Sequence, residues 1–201
     1  APLLLVISIL AGIAAGMLVG SVPGIFKARF STNEVIVAIM LNYICTLFTS
    51  YLVNGPFKTE GSTAQTELIA EGIWFGKLVP RTQLTYALFL LLFVAAAMYI
   101  FLWKTSGGYQ LRAVGANPSA SGTRVNMFLI MSMTISGGIA ALAGITEVFG
   151  KYHRFIEGFS PSFGFTGIAV AILGRNHPAG VLLTALLFGI MDMGSLRMSR
   201  E

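Results

Sequence analysis

Long apolar runs separated by polar loops dominate the chain. Residues 3–19, 84–103 and 125–149 form three such runs, each close to the roughly 20 residues that a helix needs to cross a bilayer. A fourth begins at Ser31–Glu34, which has the S/T-x-x-E form of a capping box, and continues to about Val53. The pattern predicts an all-α, polytopic integral membrane protein with about four full transmembrane helices.

A polar break, Arg175–Pro178, interrupts the last apolar stretch. Residues 166–174 before it are too short to span a bilayer, and the apolar pattern resumes over 179–193. This pattern favours a broken or re-entrant segment that the rest of the protein shields from lipid. A single kinked crossing over 166–193 is the alternative.

Small residues recur at every fourth position on two of the runs, which places each set on one helical face. Because close packing is the main attraction between helices in lipid, we expect both sets to face neighbouring helices. We also expect the first helix to end at Pro23, since proline interrupts the helical ladder. The two sets are Gly12, Gly16 and Gly20, and Ser136, Ala140 and Gly144.

The second run carries a polar stripe on an otherwise apolar cylinder, made of Asn42, Thr46, Thr49 and Ser50. Polar groups inside a membrane are costly, and they mark solute pathways or bonds between helices. Asn42 lies deepest, so we expect a cavity or a partner beside it. Asn42, Thr46 and Thr49 are therefore a candidate substrate path, with hydrogen bonding between helices as the alternative.

Residues 104–124, between two of the runs, form a glycine-rich basic segment without an acidic residue. Its end has the signature of a very short helix, because Asn117 is a good N-cap, Pro118 suits the first helical position and Gly122 can close the last turn. So short a helix does not persist alone in water. We expect the membrane domain or a partner to hold it, the alternative being an ordinary basic loop.

Two longer loops carry weaker signals. Trp74, in the polar loop 54–83, is interpreted as an aromatic anchor at the membrane surface. His153, in the loop 150–165, is interpreted as a surface residue. The single cysteine, Cys45, lies within an apolar run and is expected to pack there.

Composition agrees with a membrane protein and argues against nucleic-acid binding. The 201 residues are 55% hydrophobic and 10% charged, with a mean hydropathy of +0.79, whereas soluble domains carry about 25% charged residues. The net charge of +5 lacks the basic stripe with interleaved aromatics that nucleic acid requires. Orientation stays open, because the loops on the two sides of the predicted helices hold equal numbers of basic residues: Lys27, Arg29, Lys104, Arg112 and Arg124 against Lys58, Lys77, Arg81, Lys151 and Arg154.

Three stretches resemble the permease subunits of bacterial ABC importers for nucleosides and simple sugars. The first is Val22-Pro-Gly-Ile-Phe-Lys-Ala, continuing into Asn33-Glu-Val-Ile-Val-Ala-Ile-Met-Leu-Asn-Tyr-Ile44. The second, similar to the family's cytoplasmic coupling segment, is Gly108-Tyr-Gln-Leu-Arg-Ala-Val-Gly-Ala-Asn-Pro-Ser-Ala120. The third is Phe163-Gly-Phe-Thr-Gly-Ile-Ala-Val-Ala-Ile-Leu-Gly-Arg-Asn-His-Pro-Ala-Gly180, with Leu187-Phe-Gly189. They stand in family order, and the chain departs from the family pattern at 121–125.

The resemblance implies one transmembrane permease domain over 1–201, as an internal fragment of a longer permease of the bacterial cytoplasmic membrane. It implies that 104–124 is a cytoplasmic coupling loop bound by ATP-binding cassette subunits. It also implies a second permease subunit and an extracellular substrate-binding lipoprotein. Nucleosides are favoured over simple sugars, because the first and third stretches resemble the nucleoside branch more closely. The residues expected to couple the loop to the ATPase are Gly108, Arg112, Gly115, Asn117 and Pro118.

Two other classes of function fit less well. A stand-alone secondary transporter also uses broken helices, but Glu34, Glu147 and Asp192 lie near the ends of their runs, and none lies deep enough for ion coupling. An intramembrane enzyme needs a catalytic constellation, and two His, one Cys and no paired carboxylates in the runs do not supply one. Without a Walker motif, ATP hydrolysis is expected in a separate subunit, and no cofactor or metal site is predicted.

Overall fold

The structure is a computed structural model, and it describes residues 2–59, 64–70, 72, 74–76, 78, 85–118, 124–159 and 162–198. In these ranges the chain forms seven α-helices: α1 Pro2–Phe30, α2 Glu34–Asn54, α3 Ala87–Lys104, α4 Ser106–Ala116, α5 Val125–Glu147, α6 Phe163–Leu173 and α7 Pro178–Met198. A π-helical turn, Val148–Tyr152, extends α5. Five helices, namely α1, α2, α3, extended α5 and α7, are long and apolar enough to cross a membrane. The predicted all-α, polytopic fold class is confirmed.

The helices α1 and α5 pack against each other backbone to backbone. Gly12, Gly16 and Gly20 of α1 face successively earlier residues of α5, so the two helices are antiparallel. A Cβ atom at Gly20 would lie 2.7 Å from the carbonyl oxygen of Met133, and one at Gly16 would lie 2.5 Å from that of Gly137. The first predicted small-residue face is therefore an interface between helices, as close packing in lipid requires.

The second predicted small-residue face was wrong by one position along α5. Ser136 and Ala140 are exposed, while Gly137 and Ala141 meet α1. Within the described part of the chain, a Cβ atom at Gly144 would meet open space. Small residues recur at every fourth position both in the predicted face and in the face that contains Gly137 and Ala141. Only the position of α1 determines which of the two faces is the interface.

The prediction that α1 ends at Pro23 was also wrong, because the helix continues to Phe30. Beyond the proline, a Cβ atom at Gly24 would lie 3.0 Å from Cα of Ile130 in α5. Tight packing on α5 thus holds the helix together across the missing hydrogen bond, as neighbouring helices do for prolines within membranes.

The short turn between α1 and α2 is closed by two polar contacts. The carboxylate of Glu34 lies 2.9 Å from Lys27 Nζ. The side-chain oxygen of Asn33 accepts a hydrogen bond of 3.0 Å from the N–H of Val35 and caps α2. The predicted capping box from Ser31 is therefore replaced by an Asn33 cap, because Glu34 is engaged by the lysine.

The bundle has two ends, which we name the α4 face and the loop face. The α4 face holds the end of α1, the start of α2, the end of α3, α4 and the start of α5. The loop face, at the opposite end, holds the described residues of 55–86 and the segment 148–159. There the Ile69 N–H donates to the His153 carbonyl at 2.9 Å, and the Phe75 N–H donates to the Phe149 carbonyl at 3.1 Å.

Trp74 and His153 pack against each other within the loop face. Their rings stack at 4.1 Å with an interplanar angle of 19°, and the indole N–H of Trp74 donates to the Ile69 carbonyl at 2.9 Å. Both side chains are half-buried. The interpretation of His153 as a surface residue was wrong, because the described part of the long loop folds back onto the segment after α5. The interpretation of Trp74 as an anchor at the membrane surface stays a prediction.

The polar break between α6 and α7 lies where the sequence predicts it. Arg175 and Asn176 adopt left-handed backbone conformations with φ of 56° and 54°, which separates α6 from α7 and excludes one continuous kinked helix. However, α7 has 21 residues rather than the predicted short stretch, so only the 11-residue α6 is too short to span. A re-entrant course for the segment stays a prediction.

Candidate coupling site

The helix α4 forms in the first half of the segment 104–124, where the sequence indicated a loop. Three glycines among eleven residues disfavour a helix there. The hydroxyl oxygen of Thr105 accepts a 3.1 Å hydrogen bond from the N–H of Gly108, and the same hydroxyl donates to the Phe101 carbonyl at 2.6 Å. One side chain therefore caps α4 and ties it to the last turn of α3.

Gly108 lets α4 fold back sharply against α3. A Cβ atom there would meet the carbonyl oxygen of Phe101 and would lie 2.6 Å from Cα of Leu102. Both obstacles are backbone atoms, which cannot move aside as a side chain can. The absence of a side chain at Gly108 therefore sets the position of α4. This packing explains why a glycine is needed at this predicted coupling residue.

Opposite sides of α4 face the bundle and the exterior. Gly108 and Val114 are buried, whereas Tyr109 is 67% exposed and Arg112 and Gly115 are also exposed. Residues three apart lie on one side of a helix, so these three form an outward surface, which we call the coupling surface. It combines an aromatic ring, a permanent cation and a residue without a side chain.

Asn117 has a position at the end of a helix that the sequence did not predict. Asn117 does not begin the described helix but ends α4, because its N–H donates to the Ala113 carbonyl at 3.0 Å. Pro118 follows directly, and an Asn-Pro pair terminates a helix as readily as it starts one. Gly115 lies within α4. The short helix predicted after Asn117 falls on 119–123, outside the described residues.

An aromatic cluster joins α4 to the α6–α7 break. The Arg112 guanidinium carbon lies 5.0 Å from the centroid of the Trp103 ring, within cation–π range. The His177 ring meets the Trp103 ring at 4.7 Å and 66°, and Tyr99 stacks on Trp103 at 5.7 Å. Sequence reasoning missed this cluster, because Trp103 stands in the sequence only as the last residue of the apolar run 84–103. No local pattern connects residues 74 positions apart.

The contacts of His177 place the α6–α7 break, and with it Arg175, at the α4 face. Because α7 begins at this face and carries Arg197 in its last turn, at the other end, the numbers of basic residues still do not decide the orientation. The acidic residues do differ, because among the described residues Glu34 is the single acid beside the cations of the α4 face. Glu67, Glu147 and Glu157 lie on the loop face or at the helix ends beside it.

The predicted substrate path on α2 lies apart from the coupling surface. Asn42 and Thr46 are exposed on the membrane-spanning part of α2. The hydroxyl of Thr49 lies within hydrogen-bond distance of two carbonyl oxygens of its own helix, at 2.9 and 3.0 Å. The described chain therefore leaves the outer part of the stripe open for a partner or a solute.

The last residue of the polar stripe makes a contact that the sequence did not predict. Ser50 donates to Oε1 of Glu157, and the side-chain amide of Asn54 donates to Oε2 at 2.9 Å. These two hydrogen bonds, that from Ser50 first, hold the pKa of Glu157 below its usual value. The end of α2 is thereby fastened to the loop face.

A cavity of about 170 Å³ lies between α3, α4 and α5. Its wall is mainly apolar, and Leu111 of α4 is one of the residues that line it. The coupling surface therefore has free volume behind it. The lining residues are Met98, Phe101, Leu111, Ser132, Ile135, Ser136 and Ile139.

Comparisons with known proteins agree on one family. The family model described as the permease component of a branched-chain amino acid transport system matches residues 1–199. The nucleoside ABC transporter permease protein NupB of Lactococcus lactis subsp. cremoris is 34% identical, over 99% of this chain and 58% of its own length. The guanosine ABC transporter permease protein NupP of Bacillus subtilis is 36% identical, over 97% of this chain and 58% of its own length.

A third relative is named for a different substrate. The glucose ABC transporter permease protein TsgB13 of Haloferax volcanii is 32% identical, over 95% of this chain and 54% of its own length. The chain thus spans between half and three fifths of the length of these curated relatives. No solved structure matches it.

Proposed function

This chain belongs to the family of permease components of branched-chain amino acid transport systems, and from that membership we propose that it forms the membrane pathway of an ATP-driven importer whose α4 binds a separate ATPase subunit. The family and the five apolar helices make it a multi-pass protein of the cell membrane. The observation that carries the proposal is the coupling surface: Tyr109 and Arg112 are exposed on a helix that Thr105 fixes to α3, with the Arg112 guanidinium lying over the Trp103 ring.

A separate ATPase needs a stiff contact through which closure of its nucleotide sites moves the membrane helices. The helix α4 has that property where it meets α3, because Thr105 and Gly108 join the two helices. A push on α4 therefore acts directly on α3, which is long and apolar enough to span the membrane. Arg112 can pair its planar fork with carboxylates or backbone carbonyls of the partner. We accordingly place 104–124 in the cytoplasm.

The polar stripe of α2 supplies the proposed solute pathway. Exposed amide and hydroxyl groups of Asn42 and Thr46 are costly against lipid but suit a hydrated path for a polar solute. In the assembled importer, a second permease subunit completes this path, and an extracellular lipoprotein delivers the solute to the loop face.

A nucleoside is the substrate we propose. Two relatives named for nucleosides and guanosine, at 34% and 36% identity, support it. Glucose is the second candidate, since TsgB13 is 32% identical. Competition for uptake of labelled guanosine by unlabelled nucleosides and by glucose separates the two, because only the true substrate class competes.

The test uses the full-length permease assembled with its ATPase and binding lipoprotein in proteoliposomes. Loss of a charge-assisted hydrogen bond weakens binding by on the order of 10-fold or more, so Arg112→Ala should lower ATPase affinity and substrate-stimulated ATP hydrolysis by that factor. The matched control is Arg29→Ala, which removes an exposed arginine from the same face outside α4. Equal hydrolysis and uptake by the two variants would contradict the proposal.

A further inference from the structure

We infer that the α6–α7 break is the part of the membrane domain that α4 moves, and that Trp103 and His177 are the positioning residues that transmit this movement. The inference rests on the proposed function, because it requires α4 to be the ATPase contact. It identifies a specific receiver of the movement, residues 174–177, which no local sequence signal connects to α4.

Two consecutive helices, α3 and α4, meet the distant α6–α7 break at the Trp103 ring. Arg112 of α4 lies 5.0 Å from its centroid, and His177 of the break meets it edge-on at 4.7 Å. Trp103 stands in the last turn of α3, two residues before the Thr105 cap that begins α4. Because edge-to-face ring contacts and cation–π contacts are directional, a tilt of this corner displaces His177.

The backbone of the break is suited to receive that displacement. Two consecutive non-glycine residues, Arg175 and Asn176, have left-handed φ values, a sparsely populated conformation that persists where the surroundings enforce it. A Cβ atom at Gly174 would lie 2.6 Å from the backbone nitrogen of Val181, so the ends of α6 and α7 are in close backbone contact. Short irregular segments between helices absorb the dihedral changes of hinge motions.

The corner also has room to move, unlike the α1–α5 pair. The cavity of about 170 Å³ behind α4 borders the same turn of α3 that Thr105 bonds. Leu111 can therefore shift toward α5 without displacing backbone. A movement at the α4 face passes more readily to the break than to α1.

The molecule contains its own control for the His177 contact. The chain has two histidines and two tryptophans, and they form one His–Trp pair at each face. His153 stacks on Trp74 at 4.1 Å, and its carbonyl accepts a backbone hydrogen bond from Ile69 at 2.9 Å. The same substitution in this second pair removes a His–Trp ring contact, stacked here rather than edge-on, far from α4.

The experiment compares His177→Ala, His177→Phe and His153→Ala in the full-length importer reconstituted with its ATPase and binding lipoprotein. Co-purification of the ATPase, substrate-stimulated ATP hydrolysis and guanosine uptake are measured for each. We expect His177→Ala to retain the ATPase but to lower the guanosine taken up per ATP hydrolysed at least fivefold. His177→Phe preserves the ring contact and should restore most of that ratio, and His153→Ala should leave the ratio unchanged.

The possible results separate the two proposals. If the wild-type permease binds no ATPase and shows no ATP-dependent uptake, the proposed function itself fails. If the wild type is coupled and His177→Ala keeps the wild-type ratio, only the inference fails. Loss of ATPase binding in His177→Ala, or an equal fall in the ratio for His153→Ala, would mark the contact as generally structural and would also overturn the inference.

Discussion

The α1–α5 pair and the corner between α3, α4 and the α6–α7 break are held together in different ways. Along α1 and α5, backbones touch at successive glycines, with Gly20 and Gly137 in direct contact. At the corner, α4 touches the backbone of α3 at Gly108, and the rings of Trp103 and His177 join these helices to the break, with a cavity of about 170 Å³ beside α4. Close backbone contact along two helices leaves no room for movement. Ring contacts beside a cavity, in contrast, allow the side chains a second arrangement. We therefore regard α1–α5 as the frame and the corner as the joint.

The largest effect should come from breaking the frame. Gly137→Leu places a side chain against the backbone of Gly16 and Gly20, where neither can yield. Overpacking costs about 1–3 kcal/mol where side chains can adjust, and backbone obstruction should reach or exceed the upper end. We expect a marked loss of folded protein and of thermal stability in detergent. The control, Gly144→Leu, changes the same helix where a Cβ atom meets open space in the described chain. Similar losses in both variants would contradict the claim that backbone contact between α1 and α5 makes this pair the frame.

The second effect concerns the joint. Gly108→Ala drives a methyl group into the Phe101 carbonyl and should displace α4, so that ATPase association falls at least tenfold while folded yield changes less than for Gly137→Leu. Gly115→Ala adds the same methyl group at an exposed helical site and should strengthen α4 by up to about 1 kcal/mol. Pull-down of the ATPase by the two variants measures the difference. Equal binding would show that α4 need not be seated on α3.

The smallest effect concerns the fastening of α2 to the loop face. Because hydrogen bonds from Ser50 and Asn54 lower the pKa of Glu157 in the folded state, the unfolded state binds a proton more readily. The contact therefore stabilises the protein above the ordinary pKa of a glutamate, and this stabilisation is lost as the pH falls through the folded-state pKa. Glu157→Gln should slightly lower the thermal midpoint at neutral pH, and the difference from wild type should shrink below about pH 4.

The control for this substitution is Glu67→Gln, which neutralises an exposed acid of the same face. It should leave the thermal midpoint unchanged at both pH values. A difference between Glu157→Gln and wild type that stays constant with pH would show that the ionised carboxylate of Glu157 does not fasten α2.

Much of the fold follows from patterns within single helices. The span of α2 and the break at 174–177 were predicted because length, hydropathy and polar interruption are local properties. The glycines of α1 were also recognised as an interface. The choice between the two small-residue faces of α5 was not predictable, because both have the same period and only the partner helix distinguishes them.

The sequence predicted which segment contains the candidate site but not the secondary structure of that segment. The motif around Arg112 led to the right segment, but its glycines and the Asn117-Pro118 pair were interpreted as a loop followed by a helix, whereas the structure ends a helix there. The Thr105 cap and the packing of Gly108 against α3 outweigh the low helix propensity of glycine. The meeting of Trp103 with His177 depends on tertiary structure alone.

The central claim, that α4 is the ATPase contact, is tested most directly by a photocrosslinker at the coupling surface. We would place p-benzoylphenylalanine at Tyr109, which is 67% exposed, and at the exposed Lys58 of the loop face as the control. In the full-length importer in native membranes, Tyr109 should crosslink to the ATPase subunit, with a yield that changes when ATP hydrolysis is trapped, and Lys58 should not. Crosslinking of the ATPase from Lys58 and not from Tyr109 would invert the protein in the membrane and contradict the account.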